Sequence, residues 1–487
     1  MTSELDLITS AEMAAIDTNC EYHGLSRLQL MENAGKALAD VILKKTRELE
    51  LDKSLLIFAG LGNNGGDSFV AARHLRDFNI EILLLGREKD IGTDIARRNF
   101  EILKNAGYKV VEIRDSSQLE RSDAAIILDA MLGTGVRGKL REPFRTAVEV
   151  INSLEGFVFS VDVPTGLNPD TGEFDICVEA DTTVTFHKNK PGLLKAKDKV
   201  GEVVVKDIGI PKAYEMLSGP GDVQRVYRRV ENAHKGMHGR VLIVGGGAYT
   251  GAPALAAIAA LNAGADIVTL AVPETIYEVV SSFSPNLIVR KLKGGRIEGK
   301  NIPEVEKLLE KHGVVVMGMG TGDAEFSNVA AEILKTGKIK KAVLDAEGIT
   351  KEIPEKVECI LTPHRGEFRR AFGKDSNQEN VKRMAEKIGA TILLKAKEDI
   401  ISDGNKVRIN KTGNAGMTVG GTGDVLSGVV GALFALGDAL WSASAAAFIN
   451  GLAGDLCFQE LGFNFTALDV ASKIPIAIKN SIEFGKA

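Results

Sequence analysis

The chain has 487 residues, 44% of them hydrophobic, with a mean hydropathy of +0.02; this suits ordinary buried cores and excludes a disordered polymer. At about 100–200 residues per domain, that length predicts two or three domains. Its 60 Lys+Arg against 65 Asp+Glu give a net charge of −5, excluding a chain-wide basic footprint for nucleic acid, and four scattered cysteines (Cys20, Cys177, Cys359, Cys457) form neither a CxxC metal pair nor a disulfide framework. A reducing, cytoplasmic setting is expected. The 52 glycines predict many tight turns and close backbone–ligand approaches.

The opening stretch MTSELDLITSAEM has early acids and no apolar run, so no secretory leader is expected. Thr9-x-x-Glu12 has capping-box spacing, and Leu28, Leu30, Met31, Ala34, Leu38 and Val41 recur on one helical face up to Lys45. Short apolar runs then alternate with amphipathic segments. Ser54–Ala59, Ile80–Leu85, Val110–Ile113, Ala125–Leu128 and Phe157–Val161 read as strands buried on both faces, with helices over Asp67–Phe78, Thr93–Ala106 and Pro143–Leu154 between them. Two more strands, Thr182–Phe186 and Glu202–Lys206, close this half, and the alternation predicts a mostly parallel sheet covered by helices. Pro211–Gly239, with Gly219-Pro220-Gly221 and several basic residues, breaks the pattern and sets a domain boundary near residue 220.

From Arg240 the alternation restarts. Val241–Ala265 carries no charge over 25 positions, long enough to cross a bilayer, but Gly245-Gly246-Gly247, Gly251, Pro253 and Gly264 read as a strand (Arg240–Val244), a glycine turn and a small-residue helix. Further strands are expected at Val268–Val272, Val314–Met317, Ala342–Leu344, Glu358–Leu361 and Thr391–Leu394, and the last 65 residues, from Gly423, are helical in pattern. The expectation is two α/β domains, 1–220 and 221–487, with ligand sites at the carboxyl ends of their strands.

In the first half, Gly60-x-Gly62-x-x-Gly65 stands between a strand and a helix and fits the dinucleotide fingerprint, in which glycines admit a pyrophosphate to the helix start. The next strand ends in Gly86-Arg87 in place of the usual acid, so a tight turn capped by Asp67 stands beside that reading. Gly133-Thr134-Gly135-Val136-Arg137-Gly138-Lys139-Leu140 approaches a Walker A loop but fails at Leu140, where a hydroxyl should meet Mg2+. What remains is a glycine loop fit to wrap a phosphate-bearing ligand. Asp162, in Val161-Asp162-Val163-Pro164-Thr165-Gly166, reads by itself as a turn acid, while Asn64, Asp129 and Thr165 together would supply hard oxygen ligands for a cation.

The second half holds the stronger signal. Five of the nine residues Gly416–Asp424 are Gly or Asp, and they run into a long helix. Free N–H groups and the positive helix end then make an anion hole for a transferring phosphoryl group, with Asp424 placed to take a proton from an attacking hydroxyl. His364, in Thr362-Pro363-His364-Arg365-Gly366-Glu367, is either a ligand contact or a helix-start residue satisfying backbone groups. Lys395-Ala396-Lys397-Glu398-Asp399 brackets a nucleotide or forms a charged surface turn. Gly318-Met319-Gly320-Thr321-Gly322-Asp323 is another strand–glycine–helix junction.

Together these motifs resemble the bifunctional NAD(P)H-hydrate repair family, an NAD(P)HX epimerase fused to an ADP-dependent NAD(P)HX dehydratase. The matching elements include Leu30–Gly35, Gly62–Asp67, Asp129–Gly135, Val161–Gly166, Asp207–Pro211, Lys235-Gly236 with Gly239-Arg240, Gly251-Ala252-Pro253, Thr362–Glu367 and Gly420–Gly428, covering essentially the whole chain. The resemblance implies a Rossmann-like three-layer N-terminal domain and a ribokinase-like C-terminal α/β domain. It implies as substrate NADH or NADPH hydrated on the nicotinamide ring, with a hydroxyl at C6; the first domain interconverts R and S hydrates. There Asn63, Asn64, Gly65, Gly66, Asp67, Gly133, Thr134, Gly135, Val136, Arg137, Gly138 and Lys139 would bind substrate, Asp162 would contact the damaged ring as acid/base, and Asn64, Asp129 and Thr165 would hold K+. The second domain would phosphorylate the S hydrate from ADP with Mg2+, after which phosphate leaves. Ala252, Gly320, His364 and Asp424 would bind hydrate, and Lys395, Ala396, Lys397, Glu398, Asp399 and Gly423 the nucleotide, with Asp424 as base. Partners are then NADHX, NADPHX and ADP, with no nucleic acid and no membrane, in a homo-oligomer. Three places depart from the family pattern: Thr165 stands where Ser is commoner, Met317-Gly318-Met319-Gly320 replaces a Gly-Pro-Gly-Leu-Gly run, and Ala396 replaces a common Gly.

Overall fold

A computed structural model describes residues 7–119, 122–135, 138–229, 234 and 236–485. They form two compact units, Met1–Lys212 and Ala213–Ala487. No helix among the described residues is long and apolar enough to cross a membrane; Val241–Ala265 folds as a strand, a glycine turn and the twelve-residue helix Gly251–Asn262.

The first unit opens with two capped helices, Ser10–Tyr22 and Arg27–Glu48; the first starts at the expected Thr9–Glu12 capping box. Strands β1 (Ser54–Ala59), β2 (Asn79–Leu85), β3 (Lys109–Ile113), β4 (Ile126–Ala130), β5 (Phe157–Val161), β6 (Thr182–Phe186) and β7 (Glu202–Lys206) build one sheet in the order β3-β2-β1-β4-β5-β6-β7. Every pairing is parallel. One face buries Leu56, Phe58, Ile127 and Val158 against Ala147, Val148 and Ile151 of helix Phe144–Ile151. Helix Asn63–His74 packs on β1, β4 and β5. The expected burial on both faces fails at β2 and β3, which are partly exposed because they run to the sheet's edge. Helix Asn63–His74 begins four residues before the expected start, so Gly65, Gly66 and Asp67 lie inside its first turns.

In the second unit, β8 (Arg240–Val244), β9 (Ile267–Pro273), β10 (Ile288–Leu292), β11 (Val314–Met317), β12 (Lys341–Leu344), β13 (Glu358–Leu361), β14 (Thr391–Leu394), β15 (Asp399–Ser402) and β16 (Val407–Asn410) follow the order β10-β9-β8-β11-β12-β13-β14-β15-β16. The sheet is parallel through β14 and ends in the antiparallel β14-β15-β16 meander. Leu242, Met317, Leu344, Leu361 and Leu394 form one core with Phe326, Phe368 and Met384 from the helices on that side. Helices Gly251–Asn262, Thr422–Phe434 and Ala439–Leu461 pack on other strand positions.

The unit boundary falls between Lys212 and Ala213, ahead of the expected residue 220, because the segment after it is tied to β16. Ser218 N–H donates to the Ile409 carbonyl at 2.9 Å. Asp222, fully buried, pairs with Arg408 at 2.7 Å and accepts from Ser444 at 2.6 Å, while Arg408 also donates to the carbonyls of Glu215 and Leu217. Trp441 stacks under both Arg225 and Arg408, 4.3 and 4.7 Å from its centroid. A buried ion pair stands only when its remaining hydrogen-bonding capacity is met, as it is here.

Candidate functional sites

In the first unit the carboxyl ends of β1, β4 and β5 open on a cavity of about 510 Å³. Its position follows from the strand order: β2 and β4 flank β1 on opposite sides, and loops leaving β1 and β4 separate at that switch point. Gly60 and Gly65 make the β1 turn possible, since a Cβ at Gly60 would sit 1.8 Å from the Met131 carbonyl oxygen and one at Gly65 2.1 Å from that of Gly60. Asn63, Asn64, Asp67, Gly133, Thr134, Gly135 and Asp162 all line the cavity. Gly65 and Gly66 are buried, with Gly66 packed on Met31, while Gly138 and Lys139 are exposed. Val136, Arg137 and Lys235 lie outside the described residues.

Asp129 is fully buried and accepts from Ser160 Oγ (2.9 Å), Thr165 N (2.8 Å) and Thr165 Oγ1 (2.6 Å). Burial pushes its carboxyl up, against the pull of those donors. Thr165 Oγ1 also accepts from Leu132 N at 3.0 Å; Asn64 lies against Gly133 and lines the cavity, whereas Asp129 and Thr165 sit behind its wall. Asn64 Nδ2 is buried with no hydrogen-bond partner among the described residues, an observation that fits a bound group beside it.

Asp162 adopts a left-handed backbone, φ +62°, at the end of β5; non-glycine residues held there cost roughly 1–2 kcal/mol and mark sites where orientation matters. Its Oδ1 accepts from the buried Lys190 Nζ at 2.6 Å and from Thr185 Oγ1 at 3.0 Å. Lys190 also donates to Thr185 and to the Phe186 carbonyl, so it is a fully satisfied buried cation. Sequence reasoning missed Lys190 and Asp17, which both line the cavity. Burial pushes the Asp17 carboxyl up to about 7, with Arg27 and Lys190 opposing and Asp162 adding to it. Asp67 is held well above the usual carboxylate range by burial and then by Asp162 and Asp17.

In the second unit, helix Thr422–Phe434 starts behind Gly421 at φ +99°, a conformation that suits glycine, and no side chain caps it. Its first amides are left for an anion. Gly420 is exposed, and the position a Cβ would take on Gly423 is 3.3 Å from Lys395 Nζ. Lys395 Nζ donates to Asp345 Oδ1 at 2.7 Å; Ser427 and Thr362 hydroxyls donate to the same carboxylate at 2.7 and 2.8 Å. Burial raises Asp345 but Lys395 and the two hydroxyls more than reverse it, leaving it below the usual range; Lys395, whose charge burial disfavours, is raised by Asp345, Glu367 and Asp424. Asp424, in the first turn, is pushed up to about 7 by burial and by Asp345, against Lys395. Asp345 was missed as well: it directly follows β12 as a single acid in no glycine motif.

Gly320 and Ala252 meet, since a Cβ on Gly320 would lie 2.9 Å from that of Ala252. His364 caps helix Arg365–Phe372: its Nδ1 accepts from Gly366 N and Glu367 N at 2.9 and 3.1 Å, which is the helix-start reading, while much of its ring stays exposed. Ala396, Lys397 and Glu398 form the turn from β14 to β15, and Asp399 closes it from inside, accepting from Ala396 N and Asn410 Nδ2 at 3.0 Å each. Burial pushes Asp399 up to about 6. Of that stretch, Lys395 reaches the glycine loop. No cluster of three or more His, Cys, Asp or Glu able to hold a metal occurs among the described residues.

The profile described as NAD(P)H-hydrate dehydratase matches residues 241–476, and the profile described as YjeF-related protein N-terminus matches residues 27–192. The bifunctional NAD(P)H-hydrate repair enzyme Nnr of Archaeoglobus fulgidus is 57% identical over 475 residues, 97% of this chain and 99% of that protein. Its counterpart in Methanothermobacter thermautotrophicus is 46% identical over 496 residues, covering 96% of this chain and 95% of its own. A crystal structure of the ADP/ATP-dependent NAD(P)H-hydrate dehydratase from Bacillus subtilis, co-crystallised with ATP/Mg2+, covers 53% of this chain and 96% of its own at 23% identity, TM-score 0.47.

Proposed function

The chain belongs to the bifunctional NAD(P)H-hydrate repair enzymes, joining an epimerase domain to a dehydratase domain, and from that premise we propose which residues perform each step. Hydroxide leaves an sp³ carbon poorly and phosphate leaves readily. The dehydratase unit therefore transfers the terminal phosphoryl group of ADP to the C6 hydroxyl of the S hydrate. Asp424 takes the hydroxyl proton, while the amides of the first turn after Gly421 and the Lys395 ammonium hold the charge of the transferring group. AMP departs, then phosphate leaves C6 and a proton leaves C5, restoring the ring double bond. Ala252, Gly320 and His364 line the hydrate side; Lys395–Asp399 and Gly423 the nucleotide side. Mg2+ would arrive with the nucleotide phosphates, as Asp345 is already fully engaged by Lys395, Ser427 and Thr362.

In the epimerase unit, Asn63–Asp67 and Gly133–Lys139 hold the hydrate and Asp162 handles protons at C6. Asn64, Asp129 and Thr165 would hold K+ through their side-chain oxygens, and it would supply a fixed positive charge beside the ligand; the unpaired Asn64 Nδ2 is a donor left for an acceptor on the hydrate. The observation that carries the whole reading is the uncapped glycine turn at Gly421 beside Lys395 and Asp424. The test is recovery of reduced nicotinamide from mixed R and S hydrates, run with ADP and with ATP side by side. Full recovery with ADP is expected; no recovery from the S hydrate with either nucleotide would overturn it.

A further inference from the structure

We propose that Asp17 is a second catalytic residue of the epimerase cavity, paired with Asp162 across the C6 carbon of the hydrated ring. This rests on the epimerase reading of the first unit. Asp17 lies on helix Ser10–Tyr22, far in sequence from every glycine motif, yet it lines the same cavity as Asp67, Asp162, Lys190 and Arg27.

Buried acids elsewhere in this chain are saturated with donors: Asp129 by Ser160 and Thr165, Asp345 by Lys395, Ser427 and Thr362, Asp222 by Arg408 and Ser444. The carboxyls of Asp17 and Asp67 make no hydrogen bond among the described residues; both are half-buried on the wall of one cavity, where a bound ligand can meet them. Their surroundings also differ from that of Asp162. The Lys190 ammonium, 2.6 Å away, holds Asp162 as an ion pair. The charged groups acting on Asp17 are Arg27 from helix Arg27–Glu48, Lys190 from the loop after β6 and Asp162 from the end of β5, and with burial they leave Asp17 near neutrality, at about 7. Asp67 is raised above the usual carboxylate range by burial and then by Asp162 and Asp17, with Lys190 opposing. An acid raised to about 7 facing a lysine-paired carboxylate in the same cavity suits a general acid and a general base.

C6 bears its hydroxyl beside ring nitrogen N1, so the step balances without an oxidant or a cofactor. Asp17, protonated, gives its proton to the C6 hydroxyl. The C6–O bond breaks, water leaves with the bonding pair, and the N1 lone pair forms an N1=C6 double bond. Water adds to the other face of C6, the double-bond pair returns to N1, and the Asp162 carboxylate takes the proton. Solvent then returns a proton from Asp162 to Asp17. One water is lost and one gained, and only the configuration at C6 has changed.

The test uses the full-length enzyme and purified R hydrate without ADP, following the S hydrate by chromatography, with ADP-dependent dehydration of purified S hydrate in parallel. Wild type is expected to interconvert the epimers with a basic limb near pH 7, where Asp17 loses its proton. Asp17→Asn should slow interconversion at least about 100-fold, the lower range for a general acid, with dehydration of the S hydrate unchanged. Asp17→Glu should recover part of the rate with a displaced basic limb, which a purely structural role would not produce. Interconversion by Asp17→Asn within about threefold of wild type with the same basic limb overturns the inference. So does an Asp17→Glu variant that melts like wild type but is as inactive as Asp17→Asn. If wild type itself does not interconvert the epimers, the epimerase reading falls, a result visible before any variant is made.

Discussion

Acidification and removal of Asp345 probe the dehydratase site from two sides. Asp424 is its proposed base, held at about 7 by burial and by Asp345, with Glu347 and Glu367 pushing the same way and Lys395 opposing. With a midpoint there, the ionised fraction falls from about nine-tenths at pH 8 to about one-tenth at pH 6, so kcat for the S hydrate at saturating ADP should fall about tenfold over that interval. Asp345→Asn deletes one charge that holds Asp424 up. It also frees Lys395 Nζ, now 2.7 Å from Asp345, to act more strongly on Asp424. Both changes favour the carboxylate, so the acid limb moves to lower pH; a loss of packing alone would lower the plateau without moving the limb. Asp424→Asn removes the limb and lowers kcat by about 10²–10⁴. The assay is initial rate against pH at constant ionic strength, read from the near-ultraviolet absorbance of the reduced nicotinamide. An Asp345→Asn limb that stays at the wild-type position, or an Asp424→Asn kcat within about threefold of wild type, refutes the assignment of the base.

Lys190→Met leaves Asp17, Asp67 and Asp162 facing one cavity without their shared ammonium; R-to-S interconversion should be lost while S-hydrate dehydration persists, and an unaltered epimerisation rate contradicts this. Replacing K+ by tetramethylammonium should slow interconversion alone, as measured with purified R hydrate. Gly428→Ala would put a Cβ 2.0 Å from the Ala256 carbonyl oxygen, forcing helices Gly251–Asn262 and Thr422–Phe434 apart. Overpacking of that kind costs about 1–3 kcal/mol, and calorimetry should show a lower Tm together with a lower dehydratase kcat, since the second helix carries Asp424. Asp222→Ala strands the Arg408 guanidinium inside the unit and should cost about 3–5 kcal/mol, whereas Asp222→Leu with Arg408→Met should melt close to wild type.

Much of this was legible in the sequence for a simple reason. Parallel strands covered on both faces are mostly unbroken apolar runs, and β1, β5, β8, β11, β13 and β14 have the bounds those runs predict, as do the Thr-rich β6 and the edge strand β7. The strands not read from sequence, β10, β15 and β16, lack the pattern; β15 is the short Asp-Ile-Ile-Ser of the antiparallel meander. β10 is Ile-Val-Arg-Lys-Leu, an edge strand whose charges face water, and β16 carries Arg408, buried only because Asp222 meets it from nearly two hundred residues away. The glycine turns were visible because their backbones touch other backbones. Asp17, Lys190 and Asp345 were not: each is a single charged residue whose meaning depends on which strand ends stand beside it in space. His364 stays open in sequence between ligand contact and helix start, and only its hydrogen bonds to the Gly366 and Glu367 amides show that it caps the helix.

The clasp of Arg408 on Asp222 bears on how this protein can be divided. A fragment excised at the first strand of the second sheet, near Arg240, omits the peptide that supplies the counter-charge for Arg408, the carbonyls of Glu215 and Leu217, the Arg225 side chain over Trp441, and Gln224, whose amide donates to the carbonyls of Ser481 and Phe484. Such a piece keeps the dehydration chemistry intact on paper and exposes an orphan cation along its far sheet edge. A cut between Lys212 and Ala213 leaves that latch whole, so the two catalysts of this polypeptide should be separable there and nowhere downstream before β8.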